Sequence, residues 1–511
     1  MPKLTIDNQP IDVPPGTTLL EAARRLGIDI PTLCRIDGLE PLASCFVCVV
    51  QVNGRDRLLP SCATLAADGM VVETASPAVL AARKTAVELL LSDHLGECEA
   101  PCQISCPAGL HVPRMIDRML AGDLDGAAGT AVGDLVLAAS LGRICPRFCE
   151  HTCRRRERDE AVAIADLHRH LVERSIVAGP GDDAAAAQPG QVAGEDSSGG
   201  PAESGRAGAW GGSSPPGVAG AKTVAIIGAG PAGLAAAARL LRLGHACVLF
   251  DSAAEPGGML HRGFDEARLP RIVLDWEIDA VRRAGARFRM NTALGRDVAL
   301  EQLRAEFDAV LLAAGAPVWQ KLNCQGGDLA TPAGEVMASL RTDRPADLEC
   351  DVIVVGSGQE AVEVALTARR RNASSVIVLS PRPRAQLSLL ERSLAQAAAS
   401  GIRFMFEAKV LEIRRPAVRL YLLVEGKSGK AVKLDCQLLI NAAGRDADVA
   451  MLVGQGLATG PRGLVADRAT LATSVPGVFA AGDVVGGGGF AVRAVAQGLA
   501  AAASIDQFLR G

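Results

Sequence analysis

Aromatic side chains make up only 3% of the 511 residues, and there is a single tyrosine. A chain this poor in rings has little to offer stacked bases or quaternary amines. Long basic tracts are missing and the net charge is −4, which removes the electrostatic footprint of nucleic-acid binding. No apolar run approaches the roughly 20 residues that cross a bilayer, so no membrane span is expected. The opening MPKLTIDNQPIDVPPG lacks the basic stretch and apolar core of a secretory leader, and a cytoplasmic chain is expected. Hydrophobic residues at 49% against 22% charged describe a globular chain rather than a disordered one.

What the chain does have is clustered cysteine. Ten of the 14 lie in the first 153 residues, while Cys247, Cys324, Cys350 and Cys436 stand singly. In a reducing compartment such clusters hold metal more often than they form disulfides. Cys34, Cys45, Cys48 and Cys62 are spaced C-x10-C-x2-C-x13-C. Four thiolates in one small loop-rich domain suit two bridged irons, two thiolates to each iron. A closed zinc site is the alternative. Cys98, Cys102 and Cys106 are spaced C-x3-C-x3-C, and Cys145, Cys149 and Cys153 repeat that spacing. An unbroken helix would line each set up as a stripe. Pro101, Pro107 and Pro146 predict loops instead, and a Cys-Pro end is typical of four-iron loops.

Residues 1–80 read as a small mixed domain, with the hairpin KLTID and PIDV, a short helix and the strands FVCVVQV and MVVET. Residues 81–177 show helical spacing in VLAARKTAVELLL and VAIADLHRHLVERSIV. Residues 178–221 collapse to Gly, Ala, Ser, Pro and Asp and are expected to be a flexible linker. The pattern then becomes α/β. The strand TVAII runs into Gly228-Ala-Gly230-Pro-Ala-Gly233, a turn that brings backbone close to a pyrophosphate. Asp251 ends the next strand at the spacing for a ribose hydroxyl. Gly257, Gly258, Arg268, Gly482 and Asp483 complete what looks like the FAD site of a flavoprotein with two dinucleotide domains. A second turn, Gly356-Ser-Gly358-Gln-Glu-Ala361, follows the strand DVIVV. The strand after its helix ends without an acidic residue, and Ser380, Arg382 and Arg384 follow. A hydroxyl and guanidiniums suit a 2′-phosphate, which favours NADPH over NADH. The expected layout is an FAD domain over 222–345 and 446–511, with an NADPH domain over 346–445. Cleavage in the linker is expected to release a cluster-bearing fragment from a flavin-bearing one.

Two resemblances extend this reading. The strings IPTLC and SCFVC resemble the β-grasp-like two-iron ferredoxin domain of the large iron–sulfur subunit of respiratory NADH dehydrogenase and of iron-only hydrogenases. That family usually has Gly where Ala43 stands and Arg where Phe46 stands. CEAPCQISCPAGLHVP and GRICPRFCEHTC resemble the helical domain of the glutamate synthase small subunit. The same domain occurs in dihydropyrimidine dehydrogenase and electron-bifurcating transhydrogenase. This second resemblance implies two four-iron clusters with crossed ligation. Cys98, Cys102 and Cys153 would serve one, and Cys106, Cys145 and Cys149 the other. Six thiolates leave two ligands to find. His168 matches the family's non-cysteine ligand position. SDHLGEC resembles the H-x3-C start of a cluster site in the NADH dehydrogenase subunit and nominates His94. His151 and His170 are the further histidines of the region. The glutamate synthase family carries a GGGN turn followed by Asp, where this chain has Gln359 and Glu363.

The resulting expectation is a multidomain α+β and α/β chain. It would carry a β-grasp-like ferredoxin domain, a helical iron–sulfur domain and two Rossmann-like domains. One 2Fe-2S cluster, two 4Fe-4S clusters, FAD and NADPH are the expected cofactors. Cofactors would carry the chemistry, and no acid–base residue is called for. The four single cysteines offer no disulfide exit, so electrons would leave through the clusters. The function expected is an electron-transfer subunit of a hetero-oligomer, partnered by another redox enzyme. The small subunit of glutamate synthase proper is one alternative, and a non-enzymatic cluster-bearing scaffold or sensor is another.

Overall fold

In the computed structural model, Asp7 and Asn8 both take positive φ, folding Lys3–Ile6 back on Gln9–Asp12 as an antiparallel hairpin. Described residues are 1–36, 39–55, 57–93, 99–178, 222–340, 347–450 and 455–511. His94, Cys98 and the expected linker beyond Ala178 lie outside them.

Met1–Glu99 form one unit. Its first strand also pairs in parallel with Val71–Glu73, which pairs antiparallel with Val49–Val52. The helix Leu19–Arg25 starts on a capping box, Thr18 with Glu21. It buries Leu19 and Leu20 with Ile6, Val50 and Val72 in the core of the unit. One boundary moves. The helix Pro77–Asp93 belongs to this unit, because Val79 is buried and Arg83 donates to the Val49 carbonyl at 2.9 Å. The sequence had divided the chain inside that helix, at residue 80.

Ala100–Gly511 form the second unit. Thr223–Ile227 lies inside a five-stranded parallel sheet, between Ala246–Phe250 and Ala309–Leu312, with Arg287–Arg289 and Val478–Ala480 at the edges. Asp351–Val355 holds the corresponding place in a second parallel sheet, with Ser375–Ser380, Arg403–Phe406, Leu438–Asn441 and Thr331–Pro332. Strands buried on both faces read as continuous Val/Ile/Leu runs, as TVAII and DVIVV do. Thr331–Pro332 pairs with Leu438–Asn441, so the layer expected to take the nicotinamide nucleotide starts near residue 331 rather than 346.

The helices between Pro101 and Ala178 do not form a detached domain. Met115, Leu137, Leu141, Ile144 and Leu171 share one core with Ile226, Leu234, Leu274, Ile278 and Val495 of the layer built on the first parallel sheet, the one expected to take the flavin. Arg242 donates to the Gly133 carbonyl at 2.9 Å. Glu277, only 2% exposed, accepts the N–H groups of Ala139 and Ser140 at 2.7 and 3.2 Å. The sequence suggested separable halves because its low-complexity stretch said nothing about the apolar faces on either side.

Among the described residues no single helix is long and apolar enough to cross a membrane.

Candidate functional site

The first glycine turn closes against the end of the neighbouring strand. Gly228 has φ +110°, and a Cβ there would lie 2.2 Å from the Ala313 carbonyl oxygen. Gly258 has φ +56°, and a Cβ would lie 2.9 Å from Gly230 Cα. Two backbones thus meet without side chains, leaving a cradle that any larger residue would fill. Asp251 stands at its rim, its oxygens accepting from the Ala229 and Ala253 N–H groups at 2.8 Å each. Gly482 and Asp483 close the far side, and burial pushes the Asp483 carboxyl up despite the Arg445 charge.

These elements border a cavity of about 630 Å³, lined by Gly228, Gly230, Asp251, Gly258, Gly482 and Asp483 from the flavin layer. Ser357, Gly358, Gln359, Glu360 and Arg382 line it from the nicotinamide layer. The volume lies in the usual range for small-molecule sites. Gly233, Gly356 and Ala361 sit behind it as packing. A Cβ at Gly233 would lie 1.9 Å from the Gly228 oxygen, and one at Gly356 2.2 Å from the Ala442 oxygen. Ala361 is fully buried.

Three expected contacts are redirected. Arg268 does not line the cavity; its Nε pairs with Glu363 Oε1 at 3.2 Å, and the neighbouring Asp265 takes Arg370 at 2.7 Å. It therefore joins the flavin and nicotinamide layers. Ser380 is buried and holds its own turn, its hydroxyl donating to the Arg382 carbonyl at 2.9 Å. Arg384 is drawn into an ion pair with Glu391. Of the three residues expected at a 2′-phosphate, only Arg382 borders the cavity.

Arg445 was missed. It is buried, donating to Glu360 Oε1 at 2.8 Å, to the Ala316 carbonyl at 2.9 Å and to Asp483 at 3.2 Å. It ties the rims of both layers, yet NAAGRDAD carries no spacing that would single it out.

The described thiols of the helical layer lie near one another. Cys145 and Cys149 are raised first by burial, Cys145 to about 11, and the charge of Cys106 adds to both. Cys102 is also raised by burial, with the charges of Cys153 and Cys106 adding to it. Between Cys145 and Cys149, Arg147 takes φ +65° and pairs with Asp166 at 2.7 Å. His168 is 4% exposed, whereas His151 and His170 are exposed. Burial holds its imidazole down to about 4, so it is neutral at pH 7. Its Nδ1 lies 2.9 Å from the Ala138 carbonyl. A carbonyl only accepts, so Nδ1 carries the proton and Nε2 keeps its lone pair. Metal-bound histidines are oriented in this way.

In the N-terminal unit Cys45, Cys48 and Cys62 are buried and Cys34 is half-buried. The Cys45 N–H holds the Cys34 thiol below its usual range, and burial raises Cys62. Ala43 and Phe46 both have positive φ, 52° and 55°.

Two glycine turns on one cavity, beside cysteine-lined loops, define an iron–sulfur flavoprotein oxidoreductase that uses NAD(P)H. The description "Pyridine nucleotide-disulphide oxidoreductase" matches residues 222–498, and the chain belongs to that family. A 2Fe-2S cluster-binding domain matches residues 2–77, and dihydropyrimidine dehydrogenase domain II, 4Fe-4S cluster, matches 93–179. Relatives include the NADP(+)-dependent formate dehydrogenase subunit beta of Moorella thermoacetica. It is 36% identical over 434 residues, covering 80% of this chain and 60% of that one. The glutamate synthase [NADPH] small chain of Mycobacterium tuberculosis is 29% identical over 454 residues, 81% of this chain and 87% of that one. The thioredoxin reductase of T. acidophilum matches 56% of this chain and 98% of its own at 20% identity, with a TM-score of 0.44.

Proposed function

We propose that this chain is the NADPH-linked subunit of a larger redox complex, moving electrons between NADPH and a partner enzyme. The observation that carries this reading is the shared cavity, with both glycine turns on its walls and a cluster loop packed behind it. Phe148, between Cys145 and Cys149, meets Phe490 edge-on with centroids 5.5 Å apart, and Phe490 lines the cavity. Bound there, FAD supplies hydride acceptance and one-electron release, and the clusters supply one-electron carriage. The chain positions these groups. Gly228, Gly230, Gly258 and Asp251 would seat the FAD pyrophosphate and ribose, and the turn at Gly358 with Arg382 would take the nucleotide. Cys34, Cys45, Cys48 and Cys62 would hold a two-iron cluster. Cys98, Cys102 and Cys153, with His94, would hold one four-iron cluster, and Cys106, Cys145, Cys149 and His168 the other.

The partner is read as another redox subunit because relatives are named as subunits of formate dehydrogenase and glutamate synthase. The test is anaerobic. Iron analysis should return about ten irons per chain by cluster stoichiometry. NADPH should bleach the flavin band before paramagnetic cluster signals rise. Clusters that stay oxidised after the flavin is reduced would refute the reading.

A further inference from the structure

Gln359 opens the helix Gln359–Arg370 directly after Gly358, and it lines the dinucleotide cavity. Its side chain leaves the nicotinamide layer. Nε2 donates to the carbonyl of Ile144 at 2.7 Å. Ile144 is the last residue of the helix Ala138–Ile144, and Cys145 is the cap, its N–H bonded to the Leu141 carbonyl at 2.8 Å. The Ile144 carbonyl is one of those that a helix leaves without an internal partner at its C-terminus. Gln359 fills that vacancy from another layer.

The other end of the same loop is held from the same cavity. The Arg493 guanidinium lies 5.3 Å from the Phe148 ring and 5.5 Å from the Phe490 ring. Arg493 and Phe490 both line the cavity. Residues 144–149, which carry two of the thiols, are thus anchored at each end by side chains that border the nucleotide space.

We propose that Gln359 is a positioning residue for the cluster held by Cys145, coupling occupancy of the nucleotide turn to the redox state of that cluster. The inference rests on the two sites read above. A hydrogen bond donated to the Ile144–Cys145 peptide draws electron density away from the ligand and fixes the backbone that carries it, and outer-shell contacts of that kind orient and tune a metal site. The coupling is reciprocal: whatever nucleotide binding does to the cluster, cluster reduction does to nucleotide affinity. Reach decides who can make the bond, since asparagine at this position is one methylene shorter.

The test uses the full chain loaded with FAD and clusters, followed by paramagnetic resonance during redox titration. The probe is 2′-phospho-ADP-ribose, which lacks the nicotinamide and accepts no hydride. In the wild type the probe should shift the midpoint potential of one four-iron cluster and leave the two-iron cluster unmoved. A threefold coupling would appear as about 28 mV, at 59 mV per tenfold. Gln359→Leu should lower the resting potential of that cluster and lose the probe-induced shift, and its affinity for the probe should no longer depend on whether that cluster is reduced. Should the leucine variant lose its clusters, Gln359→Asn keeps the amide and should lose the shift as well. Equal shifts in wild type and variants, or no shift with the probe bound, overturn the inference and leave the nucleotide site standing. A probe that fails to bind the wild type removes the nucleotide-site reading, and this inference with it.

Discussion

A neutral imidazole in place of a thiolate removes negative charge from a cluster and raises its potential. His168 is held neutral, with Nδ1 fixed by Ala138 and Nε2 unprotonated, the form that the proposed ligand role requires. His168→Cys should lower the potential of one four-iron cluster, and His168→Ala should make that cluster labile. An unaltered potential in both variants would pass the ligand role to water or another side chain. The arginines make a second residue-level prediction. Arg382 borders the cavity and Arg384 is paired with Glu391, so Arg382→Ala should weaken NADPH binding roughly tenfold and leave NADH binding unchanged. Arg384→Ala should change neither, as equilibrium titration of both nucleotides would report. Ala43 is the third case. Its φ of 52° lies where a Cβ is strained, and the sequence resemblance already expected glycine there. Ala43→Gly should stabilise the cluster loop by about 1 kcal/mol, read as a later loss of the two-iron chromophore on heating.

At the level of elements, what could be read in the sequence was whatever repeats a local rule. Each glycine turn follows a continuous Val/Ile/Ala run and opens a helix, and both do so in the structure. The cysteine spacing showed where the thiols cluster along the chain, and the resemblance alone proposed how they are shared out. Contacts between elements distant in the chain left no such mark. Arg445 lies 85 residues from Glu360 and 38 from Asp483, and no periodicity connects them. Ser380 looked like a phosphate ligand because a hydroxyl beside arginines has that composition, yet in space it holds its own turn. Arg445 therefore supplies the element-level prediction. Arg445→Met should leave Glu360 and Asp483 facing each other without a cation. The cost should be about 2 kcal/mol, below that of a fully buried pair because Glu360 keeps contact with water. Thermal unfolding and FAD retention should both fall, whereas an unchanged melting point would show that the three-way tie carries no stability.

Over the whole molecule, the decisive feature is that the helical cluster layer and the flavin layer share one core. Cleavage beyond Ala178 should therefore leave the two pieces together on a sizing column, contrary to what the linker composition suggests. Buried apolar contact holds them, so covalent continuity is not needed. Among the polar contacts that cross the joint, Glu277 is the buried carboxyl. Burial raises the Glu277 carboxyl from 4.5 to about 7, while the N–H groups of Ala139 and Ser140 pull the other way. A carboxyl raised in the folded state binds its proton there more tightly than in the unfolded chain. Its contribution to stability is complete below pH 4.5 and is lost as pH climbs towards 7. The nicked protein should thus hold together better at pH 5.5 than at pH 8. Glu277→Gln keeps the shape and cannot ionise, so it should flatten the dependence of melting temperature on pH across that window. Other groups titrate in both proteins, so the difference between the two curves isolates this carboxyl. Parallel curves would mean that Glu277 stays ionised in the joint, held by the two backbone N–H groups it accepts.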